Sequence, residues 1–480
     1  MIIARNGKND VHRSSLRADL QRRLRRPQRH RLLHGYPMEP LLLPAEEHRM
    51  PHATIALDEA RPLIIGLLPH TFCNPSVRGC GFCTFPHEKY DNDAAREVVG
   101  RVVKEVRGMA AAFPEVRSRR VDALYYGGGT ANLTPPDALR SLSQAMTETF
   151  DLGGAEVTLE GAPIHFLTRE QAMLDVLEEM PVRHRRISMG IQSFDLSWLA
   201  QMGRAAFGTP GDFAMVLNAA HRRGMTVSCD LLYNLPGQTL AGCLADASRA
   251  CDLGFDQVCA YNLVMEEGMD TEWSRSRSLL ARVPDRDTGC SHWLAVRRFL
   301  LDAGYVQTTL TNFERRELAA SDRRFMYEAC SFDPGVYDGV GFGPGAISTF
   351  TSKSHRSAIK WMNEPTSDAY VRRWDEGGRV VATSFSYSRR DLQLLHVTRQ
   401  LAGLAIDRVG YQAFFGTDVV SDFPRHFELL EDARLVRVSD TNVAVTPEGM
   451  FYADTIAGLL ASDRAAELLN ANEALEHAMG

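Results

Sequence analysis

The chain has no apolar run approaching the roughly 20 residues that a membrane-spanning helix needs. Its apolar stretches, such as Leu63–Leu68, stop far short, so no membrane span is expected. Cysteine is scarce, with nine in 480 residues, which excludes a disulfide scaffold. Positive charge is short as well: 54 Lys and Arg face 60 Asp and Glu, a net −6. Residues 1–34 hold ten Lys and Arg and two Asp, leaving 44 against 58, or −14, for the remainder. So acidic a body is a poor partner for nucleic acid, and no DNA is expected among its ligands. Met1–His34 lacks the apolar core of a secretory signal, and a cytoplasmic location is the expectation. At 44% apolar and 24% charged residues, neither disorder nor coiled coil fits; a globular protein with room for several domains does.

What the chain does have is alternation. Short apolar segments at Leu63–Leu68, Asp122–Tyr126, Glu156–Glu160, Arg186–Met189, Thr226–Leu232 and Gln257–Tyr261 read as strands. Between them, Ala94–Ala112, Pro136–Phe150, Thr168–Met180, Thr209–Arg223 and Leu240–Leu253 are long enough for helices. Strand and helix repeated six times predict parallel βα units, an α/β fold closing into a partial (β/α)6 barrel. In such folds the chemistry sits at the C-terminal ends of the strands. Further on, a helix is expected over His292–Ala303 and a strand over Tyr305–Thr311. From Asp338 to Ala346, Gly339, Gly341, Gly343 and Gly345 recur every second residue. That spacing is not the dinucleotide fingerprint, and it predicts a strand whose backbone approaches something closely. The last hundred residues read as helix, helix, hairpin, helix, a winged-helix-like α+β module. At the other end, Leu16, Leu20 and Leu24 predict a short amphipathic helix ended by Pro27, docked on the body or left solvated.

The cysteines are uneven. Cys73, Cys80 and Cys83 crowd into one loop straight after the first strand, while the other six scatter. Three thiolates on a short loop suit three irons of a [4Fe-4S] cluster and leave the fourth iron open. A zinc knuckle completed by His70 or His87 is the competing reading. Gly127, Gly128, Gly129 and Thr130 follow the second strand, where glycine lets backbone approach a ligand. No Lys-Ser/Thr follows to make a phosphate loop. Glu160 ends the third strand, Gln192 follows the fourth and Asp230 lies within the fifth, the polar groups a barrel enzyme needs to orient a polar ligand.

Taken together, these motifs resemble the radical S-adenosylmethionine (SAM) superfamily, and within it the oxygen-independent coproporphyrinogen III oxidase-like family with its methyltransferase and cyclopropane-forming relatives. The resemblance rests on the cysteine loop, Tyr126–Thr130, Leu159–Pro163, Met189–Phe194, Asp230–Thr239, Tyr261–Leu263, Gly341–Ala346 and Thr446–Gly449, met in order between about Arg61 and Leu460. It implies that Cys73, Cys80 and Cys83 hold a [4Fe-4S] cluster and that SAM occupies the open iron. It places Phe82 beside the adenine, Gly127, Gly128, Gly129 and Thr130 at the methionine amino group, and Glu160, Gln192, Arg204 and Asp230 around the SAM pocket. An electron donor such as a flavodoxin or ferredoxin and a small-molecule substrate are the implied partners.

Two features depart from the family pattern. Six residues, not three, separate Cys73 from Cys80, a doubling that costs only about 0.6 kcal/mol in loop closure. Upstream, the family's Tyr-x-His is replaced by Leu67-Leu-Pro-His70, with the tyrosine absent. We therefore expect a two-SAM enzyme that methylates or cyclopropanates a small molecule, with Asn312, Phe313 and Gly341–Gly345 as walls of the second pocket. The alternatives are a tetrapyrrole enzyme, decarboxylating a porphyrinogen or opening heme, and a heme-binding chaperone. The expected organisation is a basic extension (1–60), the partial barrel (61–270), a barrel extension covering the substrate (271–385) and the C-terminal module (386–480).

Overall fold

The computed structural model describes residues 15–26, 28, 35–38, 41–45, 55–73, 80–86 and 88–479, with side chains described as far as 471. Six parallel strands run side by side in chain order: β1 (Leu63–Leu67), β2 (Val121–Tyr126), β3 (Glu156–Gly161), β4 (His184–Gln192), β5 (Thr226–Tyr233) and β6 (Gln257–Asn262). Every residue of β5 is buried, as expected of a parallel strand covered on both faces. All six expected strands are present; β4 extends past the apolar segment at both ends, because its polar residues find partners inside the sheet. His184 meets the Thr226 hydroxyl at 2.8 Å and the Arg186 guanidinium donates to Gln257.

Helices α1 (Asn92–Ala112), α2 (Pro136–Thr149), α3 (Ala172–Glu179), α4 (Pro210–Arg222) and α5 (Leu240–Leu253) fill the connections. Each start has a local cause. Asp91 caps α1 through the amides of Asp93 and Ala94, Thr209 and Asp212 form a capping box on α4, and Thr239 caps α5. The helix expected from Thr168 begins only at Ala172, after 3-10 turns in which Arg169, Glu170 and Gln171 take positive φ. Helix α6 (Arg286–Asp302) starts six residues before the expected one, because Asp285 caps it through the Thr288 amide.

The sheet does not close. Beyond β6 come β8 (Asn312–Arg315) and the edge strand β7 (Tyr305–Gln307), both antiparallel. On the other side β9 (Asp338–Phe342) pairs parallel to β1, and antiparallel β10 (Ile347–Thr351), β11 (Ala358–Asn363) and β12 (Val381–Tyr387) extend it toward the short strand Leu43–Pro44. The glycine stretch is thus a strand and the turn after it. A Cβ on Gly341 would lie 2.5 Å from the Ile347 carbonyl oxygen, and one on Gly343, at φ +96°, would lie 2.0 Å from that of Leu68. Close approach of backbone to backbone is what the alternating glycines permit. Asp338 pins the start of β9 between the guanidinium groups of Arg61 at 2.9 Å and Arg119 at 2.7 Å.

Between β11 and β12 lies α7 (Ser367–Gly377), and after β12 comes α8 (Arg389–Ala402), opened by a Ser388–Asp391 capping box. The C-terminal module continues with β13 (Ala405–Asp407), helical segments to Asp432, and the hairpin β14 (Val436–Val438) and β15 (Asn442–Val445), with β15 central in a three-stranded sheet. A long helix, α9 (Ala453–Met479), ends the chain. One continuous apolar core joins this module to the large sheet. The amphipathic helix near the N-terminus spans 15–24, with Leu16 and Leu20 buried in that same core. Pro27 lies outside the described residues. Among the described residues no helix is long and apolar enough to cross a membrane.

Candidate active site

The loop after β1 crosses the C-terminal edge of the parallel strands, with Cys73 in a two-residue strand paired to Glu88–Lys89. The next described cysteine, Cys80, accepts the Cys83 amide at its carbonyl at 2.9 Å, which folds the Cys80–Cys83 segment into a turn. Residues 74–79, where the loop is longer than the family pattern, lie outside the described residues. All three cysteines line one cavity of about 370 Å³, together with Phe82, Gly127, Gly128, Gly129, Thr130, Glu160, Gln192 and Arg204.

Each of these side chains or glycines has a structural reason for its place. A Cβ on Gly129 would sit 2.6 Å from the carbonyl oxygens of both Thr71 and Phe72, so the glycine loop passes directly under the cysteine strand. Thr130 then donates its hydroxyl to Cys73 Sγ at 3.5 Å. Arg204 donates from Nη1 to Cys80 Sγ at 2.9 Å and from Nη2 to the Gly190 carbonyl, with its guanidinium 4.4 Å above the Phe207 ring. Gln192 takes a φ of 73° beside a register shift between β4 and β5; a bulge of this kind re-aims a side chain at a sheet rim. Phe82 leans edge-on to Trp273 with centroids 6.0 Å apart. Burial pushes the Cys83 thiol up to about 11.

The thiols bound a space without closing on a single ion: among the described residues no three His, Cys, Asp or Glu side chains gather closely enough to hold one metal ion. A tetrahedral zinc site draws its donors to about 2.3 Å from the metal, whereas soft thiolates around a wider cavity suit an iron–sulfur cluster. His70 does not complete a zinc site, because its buried ring is not among the groups lining the cysteine cavity and its Nε2 meets the Thr134 hydroxyl at 3.1 Å. His87 lies outside the described residues.

Asp230 parts from the rest of the expected set. It accepts the Ser188 hydroxyl at 3.2 Å and lines a second cavity of about 390 Å³ on the concave side of the sheet. A hydrogen bond joins the two linings: the Tyr125 hydroxyl, from the inner cavity, donates to Glu160 Oε2, in the cysteine-side cavity, at 3.0 Å. Burial raises Glu160 to about 7, with the charge of Asp230 adding to it. Asn312, Gly341 and Gly345 line the inner cavity as expected, but Phe313 faces the core against Trp293. Tyr125, Arg186, Tyr327, Glu328 and Arg399 also face this cavity. They escaped the sequence reading because none sits in a glycine- or cysteine-marked loop; the only signal was a charged residue, Arg186, inside an apolar strand.

Residues 68–247 match the radical SAM superfamily. Anaerobilin synthase of Escherichia coli O157:H7 is 25% identical over 392 residues, 78% of this chain and 80% of that protein. Oxygen-independent coproporphyrinogen III oxidase of Bradyrhizobium diazoefficiens is 25% identical over 405 residues, 80% of this chain and 84% of the relative. In three dimensions the solved coproporphyrinogen III oxidase of Escherichia coli superposes with a TM-score of 0.72 over 89% of this chain and 96% of its own, at 21% identity, a likeness of fold. The chain therefore carries a radical SAM domain, and its relatives are oxygen-independent coproporphyrinogen III oxidase-like proteins.

Proposed function

We propose that this protein is a radical SAM enzyme acting on a tetrapyrrole, with the chemistry at the cysteine-side cavity and the substrate reaching into the inner one. The observation that carries the reading is the hydrogen bond from Tyr125 to Glu160, which links the lining of a cavity with three cysteines to that of a second cavity of similar size. Relatives matched over about four-fifths of their length turn the choice from the methylating reading toward tetrapyrroles, one of them bearing coproporphyrinogen in its name.

Cys73, Cys80 and Cys83 hold the cluster, and Thr130 and Arg204 fix two of their sulfurs by hydrogen bonds. The Arg204 guanidinium also brings a positive charge beside the Cys80 sulfur. Gly127–Thr130, Glu160 and Gln192 shape the SAM side, and Phe82 braced by Trp273 forms an aromatic wall. When bound, the cluster and SAM supply one-electron cleavage of SAM and a radical able to abstract hydrogen. Helix α8 bounds one side of the inner cavity through Leu395 and Arg399.

The test is anaerobic incubation of the reconstituted protein with a strong reductant, methyl-labelled SAM and coproporphyrinogen III. Formation of 5′-deoxyadenosine with carbon dioxide release is expected. Methyl label in a product beside S-adenosylhomocysteine would restore the methylating reading, and tight heme binding without SAM cleavage would point to a chaperone.

A further inference from the structure

The inner cavity contains donors with nothing to donate to. Arg399, on α8, faces it and makes no side-chain hydrogen bond to a described residue, and burial is the largest influence on its guanidinium. On the same lining, Asn312 is 1% exposed, and its Nδ2 has no hydrogen-bond partner. Its Oδ1 is already engaged, accepting from Cys259 Sγ at 2.6 Å. The other guanidinium of the cavity, Arg186, is spent on Gln257, on Thr158 and on the Phe325 ring 3.9 Å away.

We infer that Arg399 and the Asn312 amide form a carboxylate-binding subsite at the inner end of the cavity, so that the C-terminal module contributes directly to ligand selection. The inference rests on the tetrapyrrole reading for the ligand that brings the carboxylate. Two arginines face three acids: Asp338 is already paired with Arg61 and Arg119, and burial raises Asp230 and Glu328, the latter to about 7, so these acids compete weakly for the cavity's guanidinium groups. A guanidinium with its fork unpaired matches a carboxylate in two parallel hydrogen bonds. A carboxylate could come from a substrate side chain or from the amino-acid end of a second SAM, the inner cavity being as large as the cysteine-side one.

Calorimetric titration of the reconstituted holoprotein distinguishes them. Coproporphyrin III, its tetramethyl ester and SAM are titrated into the wild type, Arg399→Gln and Arg399→Lys, with thermal melts and cluster absorbance confirming that each variant is folded and loaded. Expected is at least a tenfold loss of coproporphyrin III affinity in R399Q, a partial return in R399K, and no change for the ester. If the porphyrin binds wild type and R399Q alike while SAM falls from two equivalents to one, the subsite stands and its carboxylate is that of SAM. If the porphyrin fails to bind wild type but SAM shows that fall, the tetrapyrrole reading fails and the subsite survives. If neither the porphyrin affinity nor the SAM count depends on Arg399, the subsite is overturned, whatever becomes of the tetrapyrrole reading.

Discussion

Around the cysteines, single contacts set distinct outcomes. Cys73, Cys80 and Cys83 face one cavity, whereas Cys229, Cys243, Cys259 and Cys330 are buried elsewhere and Cys251 and Cys290 are partly buried away from it. Alanine at any of the first three is expected to abolish a full complement of iron and sulfide, and alanine at the other six to leave it intact; metal and sulfide analysis checks this. Arg204→Gln keeps all three thiols but removes the charge that donates to Cys80. It should retain iron while slowing SAM cleavage about tenfold or more, the worth of one charge-assisted hydrogen bond, as read by 5′-deoxyadenosine formation. The cysteine loop was legible in sequence because its ligand-type residues are neighbours in the chain. Arg204 was legible only through resemblance, since nothing local says that a residue more than a hundred positions on returns to Cys80.

At the level of elements, two buried groups tie separate segments of the chain together. Glu105 of α1 accepts from the Gly343 amide, from Asn363 Nδ2 on β11 and from the Tyr370 hydroxyl on α7, at 2.8, 2.8 and 2.7 Å. Glu105→Ala leaves the Gly343 amide and the Tyr370 hydroxyl unmatched and the Asn363 amide with only the Gly343 carbonyl, and is expected to cost about 3 kcal/mol, measured by chemical denaturation. In α8, His396 is buried against Phe414 and Phe415, and burial lowers it to about 3. The unfolded chain therefore binds a proton between pH 6.5 and about 3 that the folded protein refuses, so stability falls as pH drops through that window. His396→Leu should shrink the loss of stability between pH 7 and pH 5 by about 2 kcal/mol, read as a smaller drop in melting temperature than in the wild type. The apolar spacing of α8 announced a helix, but its partners, Phe414, Phe415 and helix α9, come from chain that follows it.

Over the whole molecule, the described residues before position 40 pack on the body. Leu20 is 1% exposed, the Gln28 side-chain oxygen accepts from the Thr455 amide and hydroxyl at 3.0 Å, and the Tyr36 hydroxyl donates to Asp391, which also pairs with Arg464. The beginning and end of the chain thus stabilise each other at the foot of α8 and α9. Leu20→Ala is expected to lower stability by about 2 to 4 kcal/mol, the range for a buried leucine, with cluster content unchanged; thermal melts and iron analysis together decide it.

Sequence by itself determined the repeating strand–helix order, the helix caps, and the placement of cysteine and glycine loops at strand ends, because these follow from periodicities and hydrogen bonds within a few residues. It also marked Asp338–Ala346 as a close backbone approach, since alternating glycine has few other uses in a strand. Only the tertiary structure separated Gln192 from Asp230. Gln192 lies past a bulge and pairs with Leu231, while Asp230 pairs with Gly190 below the bulge, and the two side chains line different cavities. Only the tertiary structure, likewise, brought Arg399 against strands that begin at Leu63. Contacts across more than three hundred residues leave no local pattern, because they are fixed by the packing of a shared core and not by the chain's own short-range geometry.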